Sequence, residues 1–273
     1  IGLNFEGIYS KISQDPTRRD LCRRLEGVIH DYFDSLELPS TPTIYDHLLL
    51  SLRSKDFIAT FNWDPFLIQA ANRNRKLKRR LPTILFLHGN VLAGYCERDD
   101  VYGIKGNICS KCRNPFQPSR LLYPVADKDY RHDPMIARSW KALDEVLGYA
   151  FMVTIFGYSA PVSDVGAMAL LRSAWGRWEE RQFEQFEIID VQDEGELRKN
   201  WQDFIHTHHY EVHDDFYDSW IALHPRRTGE AYRNQYMEAK FIEANPLPKS
   251  ASFPELWEWF MPLLEAEEAE AET

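Results

Sequence analysis

Three apolar runs in this chain end in short polar or glycine turns: Thr60-Phe61-Asn62-Trp63-Asp64, His88-Gly89-Asn90 and Gly157-Tyr158-Ser159. The residue types in these turns suit nucleotide chemistry. Asn offers both a donor and an acceptor to ribose hydroxyls, Asp accepts from hydroxyl or amide donors, and glycine lets backbone N–H groups approach a phosphate. His88 is the side chain of the set whose ordinary pKa of about 6.5 suits a general base at neutral pH. Each turn also has a plainer reading. Asp64-Pro65 makes a good helix start, with an N-cap residue before a proline, and a histidine before a glycine at a strand end is more often structural than catalytic.

Cys96, Cys109 and Cys112 crowd into one glycine-containing segment, while Cys22 stands alone in a helical pattern. Cys109-x-x-Cys112 has metal-site spacing and does not look like a disulfide framework. Structural zinc takes four ligands, and the position three residues after Cys96 holds Asp99, a candidate for the fourth beside more distant side chains. A second cluster, His206, His208, His209 and His213 with Asp214 beside it, reads as a hydrated or half-buried patch in preference to a metal site.

The elements that must position these residues follow from periodicity. Apolar residues at helical spacing run from Asp15-Pro16 to Leu36, and a second helix is expected over Thr43 to Arg53. Lys55 to Phe61 and Thr83 to Leu87 read as strands around a helix that starts after Asp64, a β-α-β unit that favours parallel pairing. A helix through Ile136, Trp140, Leu143 and Leu147 leads to a strand at Phe151 to Phe156. The next helix, capped by Ser163 or Asp164, carries Val165, Met168, Leu171, Trp175 and Trp178, and Phe186 to Val191 is the last buried strand expected. Three strand ends of a doubly wound sheet can converge on one crevice at its carboxyl edge. The expected fold is therefore α/β, a Rossmann-like parallel sheet with helices on both faces. A small cysteine-bearing module is inserted at about 90–120 within a first domain, 1–195. A helical extension over 196–264 and a solvated, disordered acidic tail over 265–273 complete the expected organisation.

The 273 residues, 44% hydrophobic and 14% aromatic, suffice for a full core. A formal net charge of −10 argues against a nucleic-acid duplex as the main partner. One basic run, Asn72 to Arg80, reads as a solvated helix end and loop, with an anion or an acidic partner as the alternative. No apolar stretch reaches the roughly 20 residues of a transmembrane helix and no signal peptide is evident, so a cytoplasmic location is expected. The chain opens on Ile1, and a start inside a longer protein is expected.

In order and spacing the turns resemble the sirtuin-like superfamily. Sirtuins carry a T-Q-N-x-D segment after a strand, then an H-G pair, a cysteine-bearing zinc module, a G-T-S turn and a strand ending near an asparagine. The likeness covers roughly residues 50–195, with Ile188-Ile189-Asp190 as the last strand. GYSAPVSD is closer to divergent bacterial sirtuin-like domains of the anti-phage NAD hydrolase type, and the glycine-rich strand-turn that opens sirtuins has no match before Asn4. The resemblance implies an NAD hydrolase that releases ADP-ribose and nicotinamide, in bacterial anti-phage defence. An NAD-dependent protein deacylase and a catalytically silent NAD or ADP-ribose binder are the alternatives. It gives Asn62 and His88 catalytic roles: Asn62 holds ribose and the attacking water, and His88 acts as base. It places Thr60, Phe61, Asp64, Gly157, Tyr158, Ser159 and Asp190 around NAD, with Asp64 on the nicotinamide carboxamide, and Cys96, Cys109 and Cys112 on a structural zinc. A homo-oligomer or a fused or associated sensor is the implied partner. The deacylase alternative is weakened by Leu122-Tyr123-Pro124-Val125-Ala126-Asp127, which lacks the P-x-V-x-F-G-E strand that pairs with acyl-lysine peptides.

Overall fold

The computed structural model describes residues 5–125, 128–158, 160, 164–176, 185–205 and 210–271. Its parallel strands come in two groups. β1 (Phe57–Thr60) pairs in register with β2 (Thr83–Phe86). The second group is β6 (Met152–Phe156), β7 (Gln185–Ile189) and β8 (Tyr210–His213), in that order. Between the groups in sequence lies a small antiparallel sheet with β3 (Ala93–Cys96) flanked by β4 (Val101–Ile104) and β5 (Gln117–Pro118).

Strand alternation sorts side chains to two faces. Phe57, Phe61, Leu85, Leu87, Val153, Ile155, Phe186 and Ile188 enter one core, with α5 (Pro134–Leu147), α6 (Val165–Trp175) and α7 (Glu194–Trp201) packed on it. The intervening Ile58, Ile84 and Ile189 face the other way, toward α3 (Ile44–Ser51), α4 (Phe66–Arg73) and α8 (Trp220–Leu223). Apolar residues on both faces of short strands are what a helix-covered parallel sheet requires, and the fold is α/β as expected.

Helix starts follow their caps. Asp15 accepts from the Thr17 N–H at 2.9 Å before a short 3-10 turn that leads into α2 (Arg19–Asp34). Thr43 and Asp46 form a reciprocal capping box at α3. At α6 the N-cap position is Asp164, which makes no capping hydrogen bond there; Ser163 and Trp178 lie outside the described residues. The face of α2 departs from its pattern: Leu21, Val28 and Tyr32 are exposed, and Cys22 is its buried residue. Helix α1 (Phe5–Ser13) and Tyr123 cover only one flank, with the Tyr123 hydroxyl donating to the Glu26 carbonyl.

The C-terminal third holds more order than expected. Phe186 to Val191 contains the fully buried β7, and beyond it the half-buried β8 extends the sheet with four residues whose short run carries too little apolar periodicity to be read. The acidic tail is not disordered: through Ala271 it is the end of α10 (Phe253–Ala271), which follows α9 (Thr228–Met237). Glu265, Glu268 and Glu270 are exposed, as expected, while Glu267 pairs with Arg226 and Glu268 with Arg80. Arg226 is 2% exposed, also donates to the Leu52 carbonyl at 2.8 Å, and lies 5.0 Å from the Phe260 ring. The basic run is therefore not simply a solvated loop. Arg73 donates to buried Asp46 at 2.6 Å, and Lys76 sits over Trp257. Among the described residues, no helix is long and apolar enough to cross a membrane.

Candidate functional site

The carboxyl ends of β1, β2 and β6 meet through aromatic rings. Phe61, one residue past β1, stacks on Tyr158 at 4.2 Å between centroids and meets the His88 ring edge-on at 4.8 Å. Tyr130 stacks on His88 at 6.0 Å, and Trp140 from α5 packs on Tyr130 while its indole N–H donates to the Leu87 carbonyl. Below these rings a Lys128–Asp164 ion pair is almost fully buried, and the Tyr158 hydroxyl donates to the second Asp164 oxygen at 3.0 Å.

His88 is 6% exposed, and its Nε2 finds no hydrogen-bond partner among the described residues. Burial lowers its pKa to about 4; Asp164 pulls upward and Lys128 downward by smaller amounts. The imidazole is therefore neutral at physiological pH. It can accept a hydrogen bond at Nε2 only when Nδ1 carries the proton. The Leu122 N–H donates to its carbonyl at 2.9 Å, which fixes the backbone after β2.

Gly89 follows at φ +82°, where an added Cβ would lie 1.9 Å from the Arg120 carbonyl oxygen. That approach explains the His-Gly pair: only glycine lets the strand end turn under the 119–120 segment. Gly157 also has positive φ, at +62°, but nothing among the described residues lies within 4 Å of its Cβ position, and its N–H donates to the Ile189 carbonyl. Asn90, 1% exposed, joins two strand ends by donating to the Asp64 carbonyl at 2.5 Å while its own side-chain oxygen accepts the Leu92 N–H.

Thr60 closes β1, and its hydroxyl accepts the Asn62 N–H at 3.1 Å. The Asn62 side chain is exposed, and no hydrogen bond joins it to His88 among the described residues. Asp64 accepts the Phe66 N–H at 3.1 Å, so it serves the start of α4 although Pro65 holds the N-cap position. Burial pushes its carboxyl pKa up. Trp63 packs edge-on against Phe33 of α2 and against Tyr123. Asp190 ends β7 in a turn, its N–H donating to the His213 carbonyl and its carboxylate accepting the Gln192 N–H. Ser159 lies outside the described residues, as do His206, His208 and His209.

The structure thus brings Phe61, His88 and Tyr158 together and adds Lys128, Tyr130, Trp140 and Asp164, which the sequence reading did not assign to the site. Asp164 was visible only as a helix start. Lys128 pairs with it across 36 positions, and nothing local marks such a contact. Behind Tyr130 and Trp140 a hollow of about 660 Å³ opens between α5 and α6, lined also by Gly166 and Leu171.

The cysteine module forms a second centre. Cys96 at the end of β3, Asp99 in the β3–β4 turn, and Cys109 and Cys112 in the next loop each offer one ligand atom, all within 4.8 Å of one another. Asp99 Oδ2 lies 3.2 Å from Cys109 Sγ and 3.5 Å from Cys96 Sγ, and Cys96 Sγ is 3.4 Å from Cys112 Sγ. The N–H groups of Cys112 and Lys111 point at Cys109 sulfur and lower its pKa, the cradle that a thiolate ligand needs. Cys112 is instead pushed up to about 12, chiefly by the Asp99 carboxylate beside it. Three sulfurs and one oxygen gathered this way can hold a metal ion, and Asp99 supplies the missing fourth position.

No model of a known protein family and no curated protein sequence matches the chain. Solved structures do align with it. One described as "The Structural basis of Sirtuin Substrate Affinity" does so at 18% identity and TM-score 0.35, over 70% of this chain and 75% of that one. A Sir2 structure holding an inhibitor, 2'-O-acetyl-ADP-ribose and a deacetylated peptide aligns at 14% identity and TM-score 0.36, over 81% and 82%. A third, on the mechanism and regulation of Sir2 enzymes, gives 12% and 0.34, over 66% and 75%. Likeness at this level identifies neither a family nor an activity for this chain.

Proposed function

We propose that the carboxyl edge of the parallel strands binds NAD and that the protein hydrolyses its nicotinamide–ribose bond. The observation that carries this reading is His88: a neutral, buried imidazole whose Nε2 is unpaired among the described residues, at the point where the ends of β1, β2 and β6 meet. The order of the turns in the sequence supports the same reading.

In the proposed reaction the water oxygen bonds to the anomeric carbon while the C–N electrons leave with nicotinamide. The water proton passes to His88 Nε2 and then to solvent. The products are ADP-ribose, nicotinamide and a proton. The transition state is oxocarbenium-like, so positioned polar groups and exclusion of bulk water contribute more than a strong nucleophile would. A weakly basic imidazole is adequate for that task. Asn62, exposed at the mouth, orients ribose and water, and Asp64 meets the carboxamide. Phe61 and Tyr158 form an aromatic wall, and either Phe61 or Tyr130 must yield for substrate to reach Nε2.

Zinc in the cysteine module would be held by Cys96, Asp99, Cys109 and Cys112. Bound there it would cross-link β3 to the loop that carries Cys109 and Cys112.

The test is incubation with NAD and chromatographic detection of nicotinamide, alongside His88→Ala and Asn62→Ala. Loss of turnover in both variants is expected. Undiminished turnover in both would refute the assignment, and an inert wild type that still binds ADP-ribose saturably would make the chain a binding module.

A further inference from the structure

On the sheet face that α8 covers, away from His88, β7 and β8 set three ligand-type side chains against one another. Glu187 and Glu211 are register partners across the strand pair, and His213 lies two residues beyond Glu211, on the same face. One ligand atom from each falls within 4.8 Å of the others. His213 Nε2 stands 3.3 Å from Glu187 and 3.5 Å from Glu211. It is within ion-pair reach of both, yet it is a buried nitrogen that, among the described residues, no hydrogen bond of good geometry satisfies.

The carboxylates are held from outside. Glu187, which is fully buried, accepts the Thr154 hydroxyl at 2.9 Å and the Trp220 backbone N–H at 2.8 Å. Glu211 accepts the Trp220 indole N–H at 2.8 Å. Outer donors that orient carboxylates toward a shared point are the usual surroundings of metal ligands. Charge points the same way: two carboxylates against one imidazolium leave a net negative charge beside a fully buried Glu187, whereas a divalent cation with neutral imidazole balances both. The Glu211 side chain is 32% exposed and provides the way in.

We propose that Glu187, Glu211 and His213 form a divalent-cation site, distinct from the cysteine centre, that takes Mn2+ or Zn2+ through one imidazole nitrogen and two carboxylate oxygens. Imidazole with carboxylates suits such borderline and hard ions, while thiolates select softer ones. The His213 carbonyl accepts the Asp190 N–H, so the ion would brace the turn at the carboxyl end of β7.

The competing arrangement is a protonated His213 bridging the two carboxylates without any ion. The deciding experiment is Mn2+ titration of the chelator-stripped full chain, reading free Mn2+ by electron paramagnetic resonance. One Mn2+ per chain is expected, with affinity at least about ten-fold weaker in Glu211→Gln and His213→Gln and unchanged in Cys109→Ser. Near-UV circular dichroism establishes that the variants are folded. A wild type that leaves the free Mn2+ signal undiminished and takes up only the zinc of the cysteine centre overturns the proposal. So does binding that persists in both folded variants.

Discussion

His88 carries a consequence that does not depend on any ligand. Its folded pKa is lowered to about 4 by burial, against about 6.5 in the unfolded chain. Above pH ~6.5 both states are neutral and the group has no effect; as pH falls below that value, only the unfolded chain takes the proton until the folded pKa is reached. Stability should therefore drop by up to about 3 kcal/mol between pH ~6.5 and ~4. Urea unfolding of wild type and His88→Gln at both pH values checks this, and an equally steep drop in the variant would rule it out. The two turn glycines give a second contrast at this scale. Ala at position 89 meets a carbonyl oxygen as well as unfavourable φ and should cost well over 2 kcal/mol. Ala at position 157 meets no atom among the described residues and should cost only about 1 kcal/mol of backbone strain. Comparable melting temperatures for the two variants would contradict the geometry.

At the scale of elements, strands with apolar residues on both faces and helices with capping signals were legible, because each is written within a dozen residues. Asp15 before Pro16 and Asp64 before Pro65 are such signals, and each aspartate accepts a backbone N–H at the start of the helical segment that follows. The strand-end turns were legible for the same reason: polar side chains interrupt an apolar run. What escaped depends on distant partners. Tyr130 gains its place from His88 and Trp140, and β8 is strand only because β7 lies beside it. Asp99 is an intermediate case, weighed from its spacing and then placed beside two of the cysteine sulfurs. Asp99→Ala should lower zinc content below that of wild type by elemental analysis after dialysis, because three thiolates leave one position to water. The tyrosine signals of Tyr95 and Tyr102 in the same small sheet should change on zinc removal. Full zinc retention in the variant would remove Asp99 from the ligand set.

At the scale of the molecule, α10 is fastened to the rest by a buried charge. Arg226 reaches the Glu267 carboxylate with a contact of 2.7 Å from its NH2 group, while Arg53 approaches the same carboxylate at 3.7 Å. This seam joins the C-terminal helix to the segment between α3 and β1, so the helix that ends as an acidic tail in the sequence is part of the folded body. Breaking a buried pair leaves an uncompensated ion and costs more than replacing both members. Glu267→Leu alone should destabilise the chain by about 3 kcal/mol, tempered by the Leu52 carbonyl that Arg226 retains. The double variant Arg226→Met with Glu267→Leu should recover most of that loss, since both side chains then join the Phe260 cluster. A double-mutant cycle by urea denaturation reads the coupling directly. Additive losses within about 0.5 kcal/mol would show that α10 is held by its apolar face, through Leu256, Phe260 and Leu264, with the ion pair contributing nothing.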